Sequence, residues 1–296
     1  MVGRLRARAN ASMWVAPALI LVLVFIYYPI IENVRLSFFS WSAFSPEPRP
    51  VGLDNYRALG SDPVFWRALG NNIGYAVVSL VFQVGLALVL AAVLEAYVGR
   101  RLRGLLRTIY FIPAVISITV AGMLFQFLYD PHIGLVNRFL GAVGLDSLQH
   151  SWLGDQDTAI WSVIAMSQWQ SIGYTTMLFM VAIQRIPAEL YESAHVDGAG
   201  RIRSFFVITV PMVREMTTLL VVVTISGAFL AFNEVMVMTG GGPANSSQVL
   251  GTWLYHSAFL NDDMGYAAAI ATVIFVITLA ASVIQLIRAQ RRRVET

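Results

Sequence analysis

The chain has 296 residues, 57% of them hydrophobic and 12% charged, whereas a soluble domain carries roughly 25% charge; much of its surface therefore faces something other than water. All 20 basic residues are Arg, so there is no Lys for a Walker A phosphate loop or a Schiff base, and with no Cys there are no disulfides, thiolate nucleophiles or iron–sulfur clusters. The four His residues, His132, His150, His195 and His256, are scattered, match no metal-ligand spacing and read as loop residues, so neither a metal nor a catalytic group is expected.

Apolar runs predict six transmembrane helices, in chain order about Trp14 to Ile31, Ile73 to Leu94, Ile109 to Leu128, Ala159 to Ile183, Thr217 to Met238 and Tyr266 to Ile287. A hydrocarbon core of about 30 Å needs about 20 such residues, and inside lipid only a helix pairs every backbone group within one segment. The first run follows a basic stretch, Arg4 to Arg8, as a signal peptide would. It is long, ends in Tyr27-Tyr28-Pro29 and meets no small-residue cleavage site, so it reads as an uncleaved helix. Pro46, Pro48 and Pro50 stiffen the next loop. Gly70 and Gly74 have G-x-x-x-G spacing, open both to close helix packing and to ordinary loop-to-helix glycines. In the sixth run the polar Thr272, Thr278 and Ser282 can each bond their own backbone.

With the N-terminus placed in the cytoplasm, 15 of the 20 Arg fall on the cytoplasmic side. They are Arg4, Arg6 and Arg8; Arg100, Arg101, Arg103 and Arg107; Arg185, Arg201, Arg203 and Arg214; and Arg288, Arg291, Arg292 and Arg293. This is the positive-inside bias, with both termini inside. The net charge of +3 is then a topology signal rather than a nucleic-acid footprint, and no nucleic-acid partner is expected. The expected organisation is an all-α membrane protein. Residues 1–36 form a cytoplasmic N-terminus and a peripheral first helix, 37–67 an extracytoplasmic loop, 68–288 a five-helix core with a cytoplasmic loop at 185–212, and 289–296 a cytoplasmic tail.

The loop at 185–212 is long for a connection between spans. Pro187 suits a first helical position. Leu190, Ala194 and Val196 give a partly apolar face, and Gly198 and Gly200 end this helix near Asp197. A second segment, Ile202 to Val210, is apolar enough to lie at the interface or to continue into the fifth span, and Pro211 punctuates it. The loop resembles the EAA loop of binding-protein-dependent ABC importer permeases, roughly E-A-A-x-x-D-G-A followed later by I-x-L-P. Glu192-Ser193-Ala194 stands for E-A-A, Asp197-Gly198-Ala199 for D-G-A, and Ile208 with Val210-Pro211 for the end. Ser193 replaces the middle Ala, and Glu215 sits where many relatives carry a second Pro.

Further stretches resemble the carbohydrate branch of that family, in particular permeases similar to the maltose-type first subunit. They are Val51-Gly52-Leu53-Asp54-Asn55-Tyr56, Asp62 to Trp66, Arg107 to Pro113, Tyr129 to Asn137 and Met238-Thr239-Gly240-Gly241-Gly242-Pro243. The resemblance implies a type I ABC importer permease fold that works by alternating access. It implies a second, different permease, two ATPase subunits that hold ATP and Mg, and an extracytoplasmic solute-binding protein. The loop around Glu192 to Ala199 would dock on an ATPase. Gly240, Gly241, Gly242 and Pro243 would lie near the docked binding protein, although three glycines and a proline also make a plain turn.

Polar groups inside spans are costly and mark candidate pathway positions. In the fourth span Trp169 and Tyr174 offer faces on which sugar rings stack, and Gln170 and Thr175 offer hydrogen bonds. In the fifth, Phe229, Phe232 and Asn233 stand at i, i+3, i+4 and share a helix face, and Glu234 lies close enough to the outer loop to reach water. Packing aromatics and interhelix hydrogen bonds are equally open roles for Trp169, Tyr174 and Gln170. A permease for another solute, such as glycerol phosphate, is the nearest rival; the absence of Arg at the span centres favours a neutral sugar. An ion-coupled transporter would show charged midplane residues, and a membrane enzyme convergent Asp, His or Ser groups.

Overall fold

The computed structural model describes residues 15–44 and 47–294, with backbone only at positions 100, 286 and 288–294. Trp14, Pro46, the N-terminal arginines Arg4, Arg6 and Arg8, and the side chains of Arg100, Arg288, Arg291, Arg292 and Arg293 lie outside the described residues. The chain divides into two compact units, Met1–Asp62 with Leu254–Phe275, and Pro63–Trp253 with Val276–Thr296.

In the described part of the first unit, α1 (Val15–Leu36) buries none of its apolar stretch, as a helix facing lipid or another subunit does. Near its end the Asn33 amide donates to the Ala268 carbonyl and the Thr272 hydroxyl, both at 3.2 Å. A short hairpin follows, with β1 (Phe39–Ser40) antiparallel to β2 (Arg49–Pro50) and Phe39 opposite Pro50. The helix α2 (Asp54–Ser61) carries Asn55, whose buried amide donates to the Ser37 and Phe39 carbonyls at 2.8 and 3.0 Å. Gly265 must be glycine here, because a Cβ would sit 2.0 Å from the Phe39 carbonyl oxygen.

The second unit is built around α7 (Ala159–Ile183), which matches the predicted fourth span. It packs against α3 (Pro63–Tyr97), α4 (Arg100–Val115), α5 (Ile118–Leu128), α10 (Arg214–Phe229) and α11 (Asn233–Met238). At 25 residues α7 is about 37 Å long. It is not among the described helices apolar enough to pass as a span on composition, because Gln168 and Gln170 sit mid-helix. Neighbours on several sides remove the need for an apolar perimeter. At one end of the bundle Val84, Leu88, Phe179, Met180, Ile183, Val213 and Leu220 close a buried apolar cluster.

Two predicted spans are broken. The third is α4 and α5, which meet at 97°. The Ile116 carbonyl at the break accepts the Gln170 amide at 2.7 Å. The fifth ends at Phe229, and the chain resumes as α11 after Phe232, whose φ of −151° is not helical. Asn72 on α3 sits at this break, donating to the Ala228 carbonyl at 2.6 Å and accepting from the Leu250 N–H at 2.8 Å. Phe229, Phe232 and Asn233 therefore do not share a helix face. Of the two courses open to the loop segment, it does not run on into the fifth span. The helix α9 (Arg201–Met212) runs through Pro211 and stops at Val213, meeting α10 at 70° rather than continuing into it. Helices α12 (Leu250–Tyr255) and α13 (Met264–Val294) complete the described chain.

Of the paired glycines, a Cβ added at Gly70 would meet open space and one added at Gly74 would lie 3.2 Å from the Trp161 ring, so only Gly74 is set close to a neighbour. Thr272 and Ser282 bond the carbonyls four residues back, as their spacing predicts.

Candidate functional site

The loop resembling EAA folds as a short helix, α8 (Ala188–Val196), starting one residue after the position expected from Pro187. Its acidic start (Glu189) and its last-turn His195 suit the helix dipole. Two bonds close its end: Ala199 N–H donates to the Ala194 carbonyl at 2.8 Å, and Gly198 N–H to the His195 carbonyl at 3.0 Å. Gly198 takes φ +76°. This is a Schellman cap, in which the last carbonyls are paired within the chain and the stop is rigid. Ser193 donates to the Glu189 carbonyl at 2.8 Å, so the Ser that replaces Ala is satisfied within its own helix. Glu192, Ser193, Asp197 and Gly198 are exposed, Ala194 and Ala199 half-buried, and Pro211 exposed. The apolar Val196 and Ile202 are 86% and 77% exposed, a presented surface rather than a packed one. Tyr191 turns the other way, its hydroxyl 2.9 Å from that of Thr209. His195 and His256 both lie in helical turns and not in loops, because these helices run on to caps at Asp197 and Asn261.

The pathway candidates separate into two groups. Trp169 and Tyr174 of α7 are 37% and 49% exposed, and Asn233 is exposed at the start of α11. Trp169 stacks at a tilt on Phe125, with centroids 5.1 Å apart. Phe232 is half-buried at the break. The others point inward. Thr175 is 5% exposed and its hydroxyl donates to Ser171 and Ile172 of its own helix. Phe229 is buried, and Gln170 is committed to the Ile116 carbonyl. Glu234 is 6% exposed and accepts the Tyr75 hydroxyl at 2.7 Å, so it does not reach water as its nearness to the outer loop suggested.

Tyr75 belongs to a buried polar stripe on α3 that hydropathy alone hides: Asn72, Tyr75, Ser79 and Gln83. Gln83 donates to Gln168 at 2.9 Å, and Gln168 donates to Ser79 at 3.1 Å. Each such bond inside a membrane bundle contributes about 0.6 kcal/mol. The spacing of three and four residues is the signal that would have found it. A second missed position is Gly173, where a Cβ would fall 1.7 Å from the Tyr110 carbonyl oxygen.

The glycine–proline run is tightly built. Gly240 and Gly241 take φ of +60° and +88°, and a Cβ on Gly241 would lie 2.3 Å from the Gln248 amide. The Ser247 hydroxyl donates to the Gly242 carbonyl at 2.6 Å and lies 2.8 Å from that of Thr239. Asn71 donates to the Ser246 and Gln248 carbonyls at 2.8 Å each. Gly241 is buried, while Gly240, Gly242 and Pro243 are half-exposed.

Residues 83–296 match the family model for the binding-protein-dependent transport system inner membrane component. The probable ABC transporter permease YurN of Bacillus subtilis (strain 168) is 55% identical over 93% of this chain and 94% of its own length. The lactose transport system permease LacF of Rhizobium radiobacter is 32% identical over 96% and 95%. The arabinooligosaccharides transport system permease AraP of Bacillus subtilis is 31% identical over 94% and 88%. A chain of the crystal structure of a bacterial ABC transporter that imports the acidic polysaccharide alginate superposes with a TM-score of 0.84 at 24% identity, covering 97% of this chain and 99% of that one. The bent-helix bundle is thus the fold of a type I importer permease, and the chain belongs to the family of binding-protein-dependent transport system inner membrane components.

Proposed function

We propose that this chain is the permease subunit that forms one half of the pathway of an ATP-driven importer for a sugar or oligosaccharide. The observation that carries the reading is α8: a short helix, closed at its end by its own backbone, that exposes Glu192, Val196 and Asp197 between two helices of the bundle. A rigid exposed helix on a connecting loop suits the transfer of motion from a docked ATPase better than it suits any chemistry. The chain itself does no covalent chemistry, and ATP and Mg belong to two ATPase partners. Arg placement supports cytoplasmic termini and a cytoplasmic α8. A second, different permease supplies the other half of the pathway, and a solute-binding protein delivers cargo from outside, past the half-exposed Gly240, Gly242 and Pro243. ATP binding moves α8 and opens the pathway outward; hydrolysis resets it.

The relatives' cargoes and the exposed Trp169, Tyr174 and Asn233 support a hydroxyl-rich solute, with rings stacking on the aromatics and hydroxyls bonding the amide. Affinity capture of the tagged chain from native membranes, with its partners identified by mass spectrometry, tests the assembly. Recovery of a Walker-motif ATPase, a second permease and an exported binding protein is the expected result, and recovery of the chain alone overturns it. Uptake of the sugar carried by that binding protein should fall on replacing Trp169, Tyr174 and Asn233 by Ala together; unchanged uptake removes them from the pathway.

A further inference from the structure

A groove of about 620 Å³ opens between the last turns of α3 and the α8–α9 segment, within the roughly 300–1,000 Å³ typical of small-molecule sites. Val89, Val93, Ile183 and Phe205 line it, and along α3 it runs from Val89 to Tyr97, about 12 Å of helix. Exposed Arg201 is the one Arg among its lining residues. The guanidinium carbon of Arg201 stands 4.6 Å from the centre of the Tyr97 ring, and Arg201 takes part in none of the ion pairs among the described residues. The carboxylate in the wall, Glu95, is already neutralised: it pairs with Arg103 and accepts the Gln184 amide at 2.8 Å. Exposed Arg101 and Arg203 flank the mouth in sequence. An apolar slot with a positively charged mouth, at the end of a membrane helix, matches a molecule that is apolar along its length and anionic at its head. A sugar has no such tail, and a nucleotide would leave the slot unfilled.

We infer that this groove holds one anionic phospholipid of the cytoplasmic leaflet, its phosphate on Arg201 and an acyl chain along Val89, Val93 and Phe205. The inference rests on the cytoplasmic placement of α8 proposed above. Because α8 and α9 form one wall through Tyr191, His195 and Thr209, the bound lipid braces the loop against α3 at the point where motion would enter the bundle.

The test uses the complete complex in phosphatidylcholine nanodiscs doped with a phosphatidylglycerol probe that carries a diazirine on its acyl chain, with adducts mapped by mass spectrometry. Adducts should concentrate on residues 89–97 and 202–209. A phosphatidylcholine probe with the same chain should label them about fivefold less, the selectivity of one surface cation for an anionic head. Arg201→Gln should reduce phosphatidylglycerol labelling by the same factor. Equal labelling by the two probes on the unmodified complex overturns the proposal without reliance on any variant, as do adducts confined to other helices. A cross-link from Val93→Cys to the second permease also overturns it, since protein then fills the groove. Labelling does not require transport, so its failure leaves the permease reading untouched, and that reading falls only if capture from native membranes recovers the chain without an ATPase.

Discussion

Two glycine-bearing loops stand at opposite extremes of the same chain. Around Gly198 the glycine ends a helix whose Glu192, Val196 and Asp197 are exposed, and a Cβ added there meets no atom within 4 Å. Around Gly241 the glycine lets the backbone press on a side chain, and the neighbouring Ser247 and Gln248 are wholly buried. Both glycines have positive φ, so the same backbone freedom serves presentation in one loop and packing in the other. Surroundings, and not conformation, decide how much each position is worth to stability.

Gly241→Ala adds a left-handed conformation penalty and a clash with Gln248, together about 3 kcal/mol. Thermal unfolding of the purified complex should show it; an unshifted midpoint would mean that the loop yields freely. Gln248→Ala should cost about 2 kcal/mol, because it empties a fully buried side-chain position and removes the bonds that Gln248 makes with the Thr252 hydroxyl and the Asn245 side-chain carbonyl. Gly198→Ala introduces strain alone, about 1 kcal/mol, and should leave the unfolding midpoint nearly in place. Uptake should fall nevertheless, since the Schellman closure orients α8. Wild-type uptake with Gly198→Ala would separate α8 from coupling.

The smallest effect concerns a third loop, after α5. The Asp130 carboxylate accepts the backbone N–H groups of Ile133 and His132 at 2.9 and 2.8 Å, and these bonds hold its pKa below the usual carboxylate range. A lowered folded-state pKa contributes stability above the unfolded value that is lost as pH falls through the folded one. Asp130→Asn should therefore lower the unfolding midpoint slightly at neutral pH, and the difference should vanish in acid. A difference that persists in acid would assign the effect to shape rather than charge.

Much of the fold was legible because lipid imposes a simple rule: every run of apolar residues long enough to cross must be a helix. The stop at Asp197 was legible too, since Gly198 follows a short amphipathic run. The breaks in the third and fifth spans were not. Their exposed backbone groups are answered by Gln170 and Asn72, side chains far away in sequence. Glu234 was misplaced for the same reason: distance from a loop along the chain says nothing about a Tyr75 hydroxyl arriving from α3.

By itself, then, the sequence determined that the protein is a helical membrane protein, where its apolar runs lie, and that one loop carries the pattern of a docking helix. These properties depend on local composition and spacing, which no partner alters. How the helices cross settles which polar side chains stay exposed and which staple helices together. It put Thr175, Gln170 and Glu234 inside and left Trp169, Tyr174 and Asn233 outside. A buried polar group must find a partner, and the partner is chosen by how the helices cross.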